Sequence, residues 1–174
     1  MFEKTGVPAA QNYFLKPGYI LVPDTPTIIS TVLGSCVAVC LFDGVRKTGG
    51  MNHFQLPSTR RQEEATARYG NVSTWALVTM MLSGGSQLGD LEAQIFGGAY
   101  HPKTCLQNVG QENVRVARQV LARKRIPIVS EDVGGEKGRK IVYNTSSNEV
   151  AVIKVDKIRQ MDWYPYLDKR RAGE

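Results

Sequence analysis

Cys36 follows directly on Leu33-Gly34-Ser35 and opens the apolar run CVAVCLF, and His53, one of two histidines in 174 residues, comes shortly after in GGMNHF. A thiol acts as a nucleophile when it has a base within hydrogen-bond reach, a group that orients the base, and backbone N–H donors for the oxyanion. Gly34 permits a tight turn in which the N–H groups of Ser35 and Cys36 face a common pocket. If the segment KTGGMNHF pairs back on the strand that Cys36 opens, His53 returns to the same end of the sheet, so the spacing permits a Cys/His dyad. It equally permits a buried thiol, because cysteine is among the most buried residue types. Cys40, in the middle of the same run and on the same face, reads as core, and Cys105, in HPKTCLQN, reads as a bystander.

Other chemistry fits these residues poorly. Cys36, Cys40, His53 and His101 lack the spacing of Cys-x-x-Cys knuckles, and the separation of the two cysteines along a strand holds their sulfurs too far apart for easy chelation. No metal and no cofactor is expected. GGEKGRK lacks the closing Lys-Ser/Thr of a phosphate-binding loop, FGGAY is not a dinucleotide fingerprint, and both read as turns. The basic residues are scattered, as at Arg60-Arg61, Arg123-Lys124-Arg125 and Lys169-Arg170-Arg171, without interleaved aromatics for stacking bases. Nucleic acid is therefore not the expected partner.

The elements that must position Cys36 and His53 follow from periodicity and punctuation. YILVPD reads as a short strand, and TIISTV, rich in β-branched residues, as another that Gly34 stops. CVAVCLF is a continuous apolar run of strand length, buried on both faces and ended by Asp43-Gly44, with KTGGMNHF as its hairpin partner. The polar stretch from Ser58 to Arg68 reads as an exposed loop. NVSTWALVTMMLS is a helix with Val72, Trp75, Val78 and Leu82 as its apolar face, and QNVGQENVRVARQVLARKR is a second, with Val114, Ala117 and Leu121 inward and Arg115, Arg118 and Gln119 outward. LEAQIFGGA is strand-like, and IPIVSEDVGG, GRKIVYNT and EVAVIKV give three more strands. Strands outnumber helices, so the pattern favours an α+β arrangement of mixed or antiparallel sheet with two helices packed on it.

The length suits a single domain over residues 1–174, with an arm over about 1–16 that Pro17-Gly18 ends and a basic tail over about 160–174. Apolar residues make up 42% and charged residues 22%, ordinary globular values that exclude disorder and fibrous repeats. No apolar stretch approaches the roughly 18 residues that cross a bilayer, and the N-terminus lacks a charged start followed by a hydrophobic block. Together with an odd set of three cysteines, this predicts a cytoplasmic protein that is not membrane-embedded and keeps its thiols free. The net charge of +6 favours acidic partners.

The stretch STVLGSCVAVCLFD with GGMNHFQLP after it, continuing through RYGN, IFGGA, NVGQENV, RIPIVSEDVGGEKGRKIVYN and EVAVIKV, resembles the CheD family of chemoreceptor glutamine deamidases. The resemblance spans about Tyr13 to Val155. It implies a layered αββα sandwich related to bacterial toxin-type cysteine deamidases, and a hydrolase that converts glutamine side chains of methyl-accepting chemotaxis receptors to glutamate. It also implies a Cys/His/Thr triad. By position Cys36 matches the nucleophile and His53 the base, while the family's threonine ahead of the cysteine falls on Ser30. The neighbouring Thr31 offers a hydroxyl as well, but alternation along a strand points it to the opposite face, so Ser30 is the expected third member. Asn52 and Gln55 flank His53 and either line the pocket or satisfy backbone groups.

The same machinery would hydrolyse a glutamyl methyl ester, which makes receptor methylesterase activity a related expectation. In some members of the family a CheC-type phosphatase also binds the deamidase. A function of a different class, a binding module that regulates such a phosphatase or docks on receptors, is separated from the enzyme by whether ammonia is released and whether release needs Cys36.

Overall fold

The computed structural model describes residues 10–103 and 106–158. Cys105, residues 1–9 of the expected arm and the expected tail over 160–174 lie outside the described residues. The strands are β1 (Gln11–Phe14), β2 (Tyr19–Leu21), β3 (Thr27–Leu33), β4 (Val37–Asp43), β5 (Thr48–His53), β6 (Leu91–Gly97), β7 (Ile128–Val133), β8 (Gly138–Asn144) and β9 (Val150–Val155), and the helices are α1 (Gly70–Ser83) and α2 (Val109–Arg123). They form a four-stranded sheet in the order β1-β3-β8-β9 and a five-stranded sheet in the order β2-β5-β4-β6-β7. Both sheets are mixed, because β1 runs parallel to β3 and β7 parallel to β6 while the other pairs are antiparallel.

The strand that Cys36 introduces lies in the middle of the molecule. β4 is buried at every position, as a continuous apolar run demands of a strand covered on both faces. Val37, Val39 and Leu41 point to the helical side, where they meet Leu77, Met81, Ala117 and Leu121. Ala38 and Cys40, with Cys36 just ahead of them, point the other way, onto Ile29, Leu33, Ile141 and Tyr143 of the four-stranded sheet. The result is a layered α+β sandwich of two mixed sheets with two main helices. Among the described residues both helices pack on the five-stranded sheet, so the layers run sheet, sheet, helices.

Two local readings are corrected. The N-terminal arm is structured from Gln11 onward: β1 adds to the edge of β3, and the backbone N–H of Leu15 donates to the carbonyl of Ser30 at 2.9 Å. In α1 the buried face is Ser73, Thr74, Leu77, Val78 and Met81, while Trp75 is half exposed and stacks under the Lys124 ammonium. The cause is a polar residue on the facing strand, since Asn52 of β5 donates through Nδ2 to the Thr74 hydroxyl and accepts the Val39 N–H through Oδ1 at 2.8 Å. Each fully buried leucine or isoleucine contributes about 2 kcal/mol, and a polar group among them is tolerated only when it is hydrogen-bonded. Turning Thr74 inward supplies that partner, so the helix rotates away from the face its hydropathy alone would select.

The exposed loop after Pro57 is closed at its base, because the backbone N–H groups of Gln55 and Leu56 both donate to the carbonyl of Arg68. It leaves β5 and returns to start α1 within one hydrogen-bonded neck.

Candidate active site

The β4–β5 register sets the thiol and the imidazole on one face of the sheet. Cys40 pairs with Met51, and Val37 exchanges two backbone hydrogen bonds with Phe54. Counting along that register, His53 lies opposite Ala38 and Cys36 opposite Gln55. Side chains alternate across a strand, so Cys36, Ala38, Met51 and His53 share the face turned to the other sheet. Cys36 and His53 are diagonal neighbours there. Between the pairs Cys40–Met51 and Val37–Phe54, the Val39 N–H bonds to the Asn52 side chain.

The third group comes from the opposite sheet. The Thr31 hydroxyl lies 2.8 Å from His53 Nδ1 and donates to the carbonyl of Leu15 at 2.7 Å. A hydroxyl has one proton. With that proton given to Leu15, the oxygen accepts from His53 Nδ1–H, which fixes the tautomer and leaves the lone pair on Nε2. The structure thus corrects the placement of the hydroxyl: Thr31, not Ser30, reaches the imidazole. Thr31 alternates with Ile29 and Leu33 on the face of β3 turned to the other sheet, and Ser30 lies on the opposite face with Ile28 and Val32.

The remaining candidates separate in the same way. Asn52 points to α1, away from Cys36, and serves the backbone and Thr74. Gln55 stands at the rim opposite Cys36, where its Oε1 accepts from Arg68 Nε at 3.1 Å. Gly34 and Ser35 form the turn ahead of the thiol, and their carbonyls are taken by the Ala99 N–H and by Asn113 Nδ2, both at 2.9 Å. The Cys36 carbonyl accepts from the Gly98 N–H at 2.8 Å. Gly97 makes this approach possible: its φ is +106°, and a Cβ there would run into the Cys36 carbonyl oxygen.

Three contributors were absent from the sequence reading: the Leu15 carbonyl, the Gly97-Gly98 pair and Asn113. The glycines and Asn113 lie within IFGGA and NVGQENV, stretches that carry the family likeness. A backbone carbonyl such as that of Leu15 leaves no signal in residue type.

Burial governs the protonation states. His53 has no exposed surface and Cys36 is 8% exposed. Burial pushes the Cys36 thiol up to about 11, partly offset by the residue's own backbone N–H. Burial also holds the His53 imidazole down to about 4. At neutral pH the pair is therefore thiol and neutral imidazole rather than thiolate and imidazolium. Cys40, wholly enclosed, is raised further and is inert.

The family model described as "CheD chemotactic sensory transduction" matches residues 55–154 of this chain. A curated relative from Trichlorobacter lovleyi, named "Probable chemoreceptor glutamine deamidase CheD", is 40% identical over 152 residues, covering 86% of this chain and 94% of its own. This chain belongs to the CheD family. A second CheD relative, from Anaeromyxobacter dehalogenans and named "Probable chemoreceptor glutamine deamidase CheD 1", is 42% identical over 144 residues, covering 82% of this chain and 84% of its own. The CheD family model begins after His53, but the part of this chain that the Trichlorobacter alignment leaves uncovered is shorter than the stretch ahead of Thr31. That alignment therefore takes in Thr31, Cys36 and His53. Among solved structures, a Bacillus licheniformis hypothetical protein, YfiH, aligns with a TM-score of 0.44 at 20% identity, covering 67% of this chain and 49% of that one. Among the described residues no helix is long and apolar enough to cross a membrane.

Proposed function

We propose that this protein hydrolyses the carboxamide of glutamine side chains on chemoreceptors, releasing ammonia and leaving glutamate, with Cys36 as nucleophile and His53 as general base. The observation that carries the reading is the Thr31–His53 hydrogen bond, anchored on Leu15, which presents Nε2 as the basic nitrogen of an imidazole on the same face as the thiol. The names of the CheD relatives supply the substrate class.

The protonation states set the order of events. With a neutral pair, the thiolate forms as the substrate carbonyl is attacked: His53 Nε2 takes the Cys36 proton while the sulfur bonds to the carboxamide carbon. The carbonyl oxygen becomes an oxyanion facing the N–H groups of Ser35 and Cys36. The imidazolium then gives its proton to the amide nitrogen, the C–N bond breaks, and ammonia leaves a thioester. Water, deprotonated by His53, attacks the thioester, and the sulfur recovers its proton as glutamate departs. Thr31 remains the acceptor for Nδ1–H throughout and holds the ring in place.

Access also fits. A thiol with so little exposed surface is reached by a slender unbranched chain ending in a carboxamide, which describes a glutamine projecting from a receptor helix.

The test is mass spectrometry of a glutamine-bearing chemoreceptor cytoplasmic fragment incubated with wild type and with Cys36→Ala. Conversion of amide to acid by wild type alone is expected. Conversion by both proteins would remove the thiol mechanism, and conversion by neither, with the fragment still bound, would leave a docking module.

A further inference from the structure

Asn113 lies on α2, outside the set formed by Thr31, Cys36 and His53, and is fully buried. Its Nδ2 donates to the carbonyl of Ser35 at 2.9 Å and to the carbonyl of Gln55 at 3.0 Å. Those acceptors are the residue just ahead of the thiol and the residue directly across from it on the β5 side. One side-chain amide thus ties the turn that carries Cys36 to the segment that carries His53.

The bond to Ser35 has a further effect. The Ser35 carbonyl and the Cys36 N–H belong to one peptide plane, and in a trans peptide the two point in opposite directions. No peptide among the described residues is cis. With the carbonyl held by Asn113, the N–H faces away from α2. The preceding plane is fixed in the same sense, since the Gly34 carbonyl is taken by Ala99 and the Ser35 N–H points opposite to it. Both donors assigned to the oxyanion are therefore aimed by bonds made on the far side of their own peptides.

We propose that Asn113 is a positioning residue that sets the oxyanion donors by holding the Ser35–Cys36 peptide plane. The proposal rests on the thiol deamidase reading. It separates Asn113 from Thr31, whose effect runs through the base. Removing the Asn113 donor should weaken transition-state stabilisation while leaving proton transfer from the thiol intact.

The variants are Asn113→Leu, close in shape and without a donor, and Asn113→Ala, each compared with wild type in two measurements. The first is kinetics on a receptor fragment beside alkylation of Cys36 by iodoacetamide. A fall in kcat of about a hundredfold with KM nearly unchanged is expected, the scale of losing one oxyanion donor, while the alkylation rate and its pH profile stay within about twofold of wild type. An unchanged kcat, or kcat and alkylation falling together, would overturn the role. The second is a crystal structure of either variant, in which the Ser35 carbonyl should turn away from its present direction; an unmoved plane would overturn the proposal whatever the turnover. Wild type without turnover would instead sink the deamidase reading, and the structural measurement would still decide whether Asn113 holds the plane.

Discussion

Thr31 and Ser30 are adjacent hydroxyls on one strand, and the packing between the sheets gives them different work. Thr31→Val removes the acceptor for His53 Nδ1–H and lets the ring change tautomer, so turnover should fall by about 10- to 100-fold, the range for groups that orient a reactive histidine. Ser30→Ala, half-buried on the opposite face of β3, should change it by less than about twofold. Steady-state kinetics of the two variants on one receptor fragment checks both, and equal losses would contradict the assignment.

His53 also leaves a signature in stability. Its folded value is depressed from 6.5 to about 4, so above pH 6.5 the imidazole is neutral in folded and unfolded chains alike and its stabilising contribution is fully present. As pH falls from 6.5 to about 4, the unfolded chain binds a proton that the folded chain refuses, and that contribution is lost, by about 3 kcal/mol across the window. Below that range both forms are protonated and the loss stops growing. Urea unfolding at pH 7 and pH 4.5 should show a larger drop for wild type than for His53→Gln.

At the scale of elements, β4 and β5 were legible because a continuous apolar run followed by a glycine turn and a second extended segment has few alternatives. The choice of hydroxyl was not. TIISTVL is apolar on both faces, Ile28 and Val32 against Ile29 and Leu33, so alternation alone does not say which face turns to the thiol. That depends on β8, which joins β3 from more than a hundred residues downstream and sets its tilt over the other sheet. The face of α1 was hidden for a similar reason, because its rotation answers to Asn52 on a strand already laid down. Asn52→Leu should orphan the Val39 N–H and the Thr74 hydroxyl and lower stability by about 1–3 kcal/mol. Thermal unfolding measures this. A Tm equal to wild type would mean that the strand and helix repack without the amide.

At the scale of the whole molecule, the site is shared by two layers: Cys36 and His53 belong to the five-stranded sheet, and Thr31 and Leu15 to the four-stranded one. Sliding one sheet past the other would part Thr31 from His53 before it disturbed the strand pair that carries Cys36 and His53, so mild destabilisation should reduce turnover before it raises the alkylation rate of the thiol. The net charge of +6 acts at the same scale. Against an acidic partner surface a charge of this sign speeds encounter, and salt screens it. Between roughly 0.05 and 0.5 M salt, kcat/KM on a receptor fragment should fall while kcat stays level; a flat kcat/KM would remove electrostatic steering from the account.

The pairing of β3 with β8 fixes when the enzyme can first act. A chain still being synthesised that has emerged only as far as Val133 already contains the thiol, the imidazole and both hydroxyls. It lacks the strand that holds β3 in its sheet, and a two-stranded edge formed by β1 and β3 alone is marginal in water. The newborn protein should thus remain silent toward receptors until Gly138–Asn144 has emerged, and a stalled fragment ending at Val133 should bind no substrate carboxamide productively.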